Sequence, residues 1–322
     1  MMRLSWLLLF GLAACSPYSF SNEVAGFSRG VDDLSSGFTE GFAALAADHA
    51  ATTQLEMIES RAKVKVKRTS SCLTPDPNTI PCELYTGDAE PTLTKVELLR
   101  GRTMSAVAVL RGYAHALMAV TNAADRAAYD AAVTQLSESV GALAKNADAV
   151  APGASIVAPA AVNLAGWVVG TALDQQRFES LKAGVTAVGT APPGGKSPIA
   201  TVAQALGAGL FALSQERQTA LIAEAAILQR RLDPSLSDSD YGQRLSDTQA
   251  VLAVLDGVRQ ADPTAAAKAL VDAHDALLAA INDPKRSYES LLQAVSDFAD
   301  RAAALQAALA AAAELEKAKK GG

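Results

Sequence analysis

The sequence predicts an all-α protein: an elongated antiparallel multi-helix bundle with coiled-coil-like packing and one small disulfide-closed loop or β-hairpin. Three observations carry this. The chain is alanine-rich with only 5% aromatic residues, and alanine has the highest helix propensity. Apolar residues recur at four-three spacing, most cleanly at Tyr129, Val133, Leu136, Val140, Leu143, Ala147 and Val150, the period of helices packed on helices. Breaker residues stand where such runs stop, at Pro152-Gly153, Pro192 to Gly195, Pro234, Pro263 and Pro284.

The first helix reads from Ser21-Asn22-Glu23, a capping serine or asparagine followed by an early acid. It contains an internal repeat: Gly26-Phe27-Ser28-Arg29-Gly30 aligns with Gly37-Phe38-Thr39-Glu40-Gly41 at a shift of eleven residues. Eleven residues are three turns, so both copies face one way. Phe27, Val31, Leu34, Phe38, Phe42 and Leu45 form the apolar stripe, and the glycines admit a close neighbour. Such a helix can lie on lipid or pack in a bundle. Asp32, Asp33 and Glu40 against Arg29 give the polar face the wrong sign for an anionic membrane, which favours the bundle.

The pattern then changes. Lys63 to Arg68 alternates with period two, the signature of a strand, and Thr74 to Asn78 is a turn. Thr79 to Tyr85 reads as the return strand, which sets Cys72 across from Cys82 inside a loop spanning 63–90. The basic cluster of this loop could grip a phosphate or an acidic partner, but the pattern favours a solvated edge.

Helices resume after Pro91, break at Asn122 to Asp125 and end near Val150. Ala149 to Leu173 and Ser197 to Gln215 carry no charge, so residues 154–214 read as an apolar helical hairpin. A helix apolar all round is either core or membrane-embedded; Asn163, Thr171, Gln204 and Pro159 favour core. A helix follows from about Ser197 to Leu232, then one from about Tyr241 to Gln260. Asp262-Pro263 and Asp283-Pro284 open the last two, with proline at the first helical position. The small residues of the final helix suit close antiparallel packing. Residues 21–322 thus read as a single helical-bundle domain.

The N-terminus carries an address. Arg3, the apolar run Leu4 to Phe10 and small residues before a cleavage point make a secretory signal over 1–14. Leu12-Ala13-Ala14-Cys15 resembles the lipobox of bacterial lipoproteins. The resemblance implies cleavage before Cys15, lipidation of Cys15 with palmitate-type chains, and a short tether over 15–20. In Gram-negative members an aspartate after the cysteine retains the protein in the inner membrane. Ser16 here implies the outer membrane, periplasmic side. Multiple acyl chains anchor stably where one binds marginally. The resemblance ends at the signal.

Removing the signal leaves 27 basic against 34 acidic residues, a net charge of −7. That balance excludes a general nucleic-acid binder, which needs a basic footprint. Cys72 and Cys82 remain, and in an oxidising space they are expected to form a disulfide; their spacing is not that of a Cys-x-x-Cys redox pair. No catalytic constellation is found and no cofactor is implied. His49, His115 and His274 belong to separate helices; Asp48-His49 and Asp272 to Asp275 could supply metal ligands only if those helices meet, and the helical Glu-x-x-His spacing is missing. No metal site is assigned. Gly194-Gly195-Lys196-Ser197 lacks the first glycine of a phosphate loop, position 190 being Thr.

The expected function is a non-enzymatic, outer-membrane-anchored periplasmic lipoprotein. It acts as a helical scaffold or interaction module, through a protein partner or self-association on its helical faces. The alternative is a pore-forming-like protein inserting the hairpin 154–214, and more remotely a metal-binding helical bundle.

Overall fold

A computed structural model describes residues 20–61, 64–66, 84–86, 95–150 and 172–321. Among them the fold is all-α. Eight helices run in chain order: α1 (Ser21–Ser60), α2 (Lys95–Asn122), α3 (Arg126–Val150), α4 (Leu173–Gly189), α5 (Pro198–Arg230), α6 (Asp238–Gln260), α7 (Pro263–Asn282) and α8 (Pro284–Gly321). Between α1 and α2, β1 (Val64–Val66) pairs antiparallel with β2 (Leu84–Thr86), Lys65 opposite Tyr85. The signal, Cys15, the tether to residue 19, Cys72, Cys82 and the first arm of the apolar hairpin, 154–171, lie outside the described residues.

Several helix starts follow local chemistry, whereas α1 and α4 begin without a side-chain cap. Ser197 caps α5 by accepting from the Ala200 amide, and Asp262 caps α7 by accepting from Thr264 and Ala265. Each is followed by proline at the first helical position. The capping serine or asparagine expected at the start of α1 is not used. Helix α1 begins one residue early behind Phe20, whose side chain cannot cap. The ring of Phe20 is buried instead, 6.3 Å from Phe178; packing takes the place of a polar cap.

The antiparallel expectation needs correcting for the longest helices. Gly26 faces Val295, Gly30 faces Phe298, Gly37 faces Gln306 and Gly41 faces Leu309. Both numbers rise together, so α1 and α8 run parallel. The same holds for α1 and α5: Asp48 meets Arg217, Thr52 meets Ala220 and Glu59 meets Arg230. Helix α2 runs the other way along α1, with Asp32 on Arg111 and the Arg100 guanidinium 4.2 Å above the Phe42 ring.

The glycine repeat explains how two long helices lie so close. A Cβ on Gly26 would stand 2.7 Å from Val295, and one on Gly37 would stand 3.0 Å from the Gln306 backbone. Val295 and Gln306 are themselves eleven apart, as are Phe298 and Leu309. Two matched eleven-residue periods keep the pair in register over three turns without left-handed coiling.

One apolar core runs through α1, α2, α3, α4, α5, α7 and α8. A smaller second core lies beside it, where Ala44, Leu221 and Leu228 meet Val251, Val254, Leu255 and Val258 of α6.

Candidate functional site

Helix α5 carries Leu206, Leu210 and Leu213 into the core, and the next position on that face is Arg217. Its side chain is 0% exposed. Nε donates to Asp48 Oδ2 at 3.0 Å, and Nη1 donates to the carbonyls of Leu309 and Ala308 on α8. Nη2 is buried without a hydrogen-bond partner. Glu224, two turns further along α5, is buried too. Burial pushes Asp48 up to about 6 against the pull of Arg217, and the charge of Glu224 adds to the rise. Asp48 thus feels a guanidinium in contact with it and a second buried carboxylate nearby. The group can hold a proton and clamp α8 to α1 and α5, but no solute reaches it.

A second buried polar pair sits at the meeting of α2 and α7. Tyr113 Oη and His274 Nε2 are 2.9 Å apart in a hydrogen bond. Phe27 packs on the imidazole at 6.1 Å between ring centroids. His274 Nδ1 is buried without a partner. Desolvation lowers His274 to about 3 and raises Tyr113 well above its ordinary value, so the imidazole is neutral at any ordinary pH.

The three histidines stay apart. His115 pairs with Asp32 at 3.0 Å on the surface, where Arg111 also binds that carboxylate. His49 is half-buried beside Asp48 on α1. Asp272 is engaged by Lys268. No group of three metal-type ligands forms among the described residues. Arg217, Glu224 and Tyr113 were not singled out from sequence. Their signal was present: Arg217 and Glu224 continue the four-three stripe of Leu206, Leu210 and Leu213.

The described arm of the apolar hairpin turns one face into the core. Ile199, Val202, Leu206, Leu210 and Leu213 are sealed. Leu99–Asn122 is long and apolar enough to cross a membrane by composition, yet its Leu110, Tyr113, Leu117 and Val120 are buried in the bundle.

An open groove of about 450 Å³ lies between α5 and α7. Ala203, Gly207 and Ala267 floor it, Phe211 and Val271 wall it, and Lys268 stands at its rim. The floor is shallow because α5 and α7 approach closely at Gly207, where a Cβ would stand 2.8 Å from Ala267. Phe211 is 46% exposed.

No protein-family model, no curated protein and no solved structure matches the chain.

Proposed function

We propose that this is an outer-membrane-anchored periplasmic lipoprotein that works as a non-enzymatic helical scaffold. The address rests on Leu12-Ala13-Ala14-Cys15. The scaffold reading rests above all on where the reactive side chains are placed. Arg217, Asp48, Glu224, Tyr113 and His274 are all buried at helix junctions, holding elements together. What the bundle offers outward is helix surface and the shallow apolar groove on α5. Helix α1 has 40 residues, so the body reaches about 60 Å from its first turn to its last. A Cys72–Cys82 disulfide would close the chain beyond α1.

Two measurements test this. Mass spectrometry of the N-terminal peptide from the membrane fraction should find an acylated Cys15, and Cys15→Ala should leave the protein out of the outer membrane. Liposome flotation of residues 16–322 should show no binding, a reading supported by the burial of Ile199, Val202, Leu206, Leu210 and Leu213 on the α5 arm of the hairpin. Flotation that depends on residues 154–214 would instead establish the membrane-inserting alternative.

A further inference from the structure

Helix α5 has two faces. One fills the core. The other is exposed at positions 204, 208, 211, 215, 219, 222, 226 and 229, and between Pro198 and Gln229 no other residue of the helix is exposed. None of the eight is charged. The outward faces of the other long helices carry charge, such as Arg111 on α2, Lys268 on α7 and Arg301 on α8. An exposed helix face with regular four-three-four spacing and no charge is the pattern of a helix seam. Its eleven-residue period, Phe211 to Ile222, returns the seam to the same side after three turns.

We propose that this face pairs with the same face of a second copy, antiparallel, about a two-fold axis near residues 216 and 217. This rests on the scaffold reading and specifies its partner. The argument is self-complementarity. Reversing the strip gives nearly the same strip: Gln204 falls opposite Gln229, Ala208 opposite Ala226, Phe211 opposite Ile222, and Gln215 opposite Thr219. Amide meets amide at the ends, small meets small, and the two large exposed apolar side chains (46% and 47% exposed) meet each other. A closed two-fold contact requires such a surface, one that serves as its own partner.

The groove supplies the rest of the area. The strip spans 26 residues, so it is about 39 Å long at 1.5 Å per residue. A stable specific interface needs about 600 Å² or more from each partner, hence a width of about 15 Å, more than the roughly 10–12 Å that one helix provides. The α7 wall of the groove adds that width. The two-fold brings Ile222, Ala226 and Gln229 of the second copy along Ala208, Phe211 and the groove they border. Glu216, half-buried beside the midpoint, faces its own mate, so added salt tightens the pairing.

Sedimentation equilibrium of residues 16–322, which retain every described element, tests this. The expected result is a dimer that Phe211→Glu and Ile222→Glu each return to monomer with unchanged circular dichroism. Oxidation of the double variant Gln204→Cys, Gln229→Cys should link two chains covalently, and Gln204→Cys alone should not. A chain that is monomeric up to roughly 0.1 mM, or a dimer untouched by both glutamates, overturns the proposal. If the monomer instead cross-links through α5 to a different envelope protein, self-pairing fails and the scaffold reading stands. If it cross-links to nothing, both fail.

Discussion

Arg217 is a fully buried guanidinium, costly to remove from water, and its neighbours show what offsets that cost. A buried guanidinium needs an opposite charge and acceptors; Asp48 supplies the first and the α8 carbonyls the second. Removing the cation alone would strand the buried Asp48 carboxylate. Arg217→Met should therefore cost about 3–5 kcal/mol, read as a fall in the urea midpoint. A loss below about 1 kcal/mol would show that the cluster is not sealed as described. The same cluster sets a pH response together with His274. Folded Asp48 holds its proton up to about pH 6, against 3.8 as its ordinary value. It therefore adds stability as pH falls through 6. His274 does the reverse: its ordinary value is 6.5, but folded it protonates only near 3. Stability is lost as pH falls below 6.5. Each slope is about 1.4 kcal/mol per pH unit, and from about pH 6 to 4 they offset one another. Asp48→Asn should then lose stability in acid more steeply than the parent, and His274→Gln should gain it. Denaturation midpoints across that range, compared between variants, give the two differences; equal slopes in all three proteins would refute the assignment.

At the scale of elements, the glycines separate into two kinds. Gly30 accepts the Phe298 ring where a Cβ would stand 2.5 Å away, whereas Gly141 has nothing within 4 Å. Gly30→Ala should destabilise by about 1–3 kcal/mol through overpacking. Gly141→Ala should stabilise by about 0.5–1 kcal/mol through helix propensity alone. Thermal unfolding of the two variants, moving in opposite directions, checks the α1–α8 contact. Much of this was legible in the sequence. The eleven-residue repeat identified the packed face of α1, and Asp262-Pro263 and Asp283-Pro284 placed the starts of α7 and α8. Direction was not legible. A stripe of apolar residues is the same read up or down, so nothing in Val295, Phe298 and Leu309 says that α8 runs parallel to α1. Partnership across the fold was equally hidden. Arg217 and Asp48 lie on apolar stripes, but 169 residues separate them. A charge on a stripe reads as a flaw until its partner is seen. The start of α1 failed for a different reason: local capping preference lost to burial of Phe20.

The whole molecule is uneven in stability. Helix α6 is held by the smaller core, with Leu255 and Val258 as its main anchors, while Leu245 and Leu252 of the same helix face outward. Local opening free energy follows buried apolar contact. Amide hydrogens of α6 should exchange before those of α5 around Leu206 to Leu213, and Leu255→Ala should speed α6 without affecting α2. Uniform exchange across the chain would contradict two separate cores.

The parallel course of α1 and α8 also governs where the chain can be joined, cut or extended. Most compact domains bring their ends together; here Ser21 and Gly321 open and close helices that point the same way. From the level where Gly41 meets Leu309, the start of α1 lies twenty residues below and the end of α8 twelve above, about 48 Å apart along the axis. A circular permutant would need at least about 14 extended residues to bridge that span. A cargo fused beyond α8 would be carried at the pole remote from Ser21, so if the proposed anchor holds, the fusion partner would stand clear of the lipid.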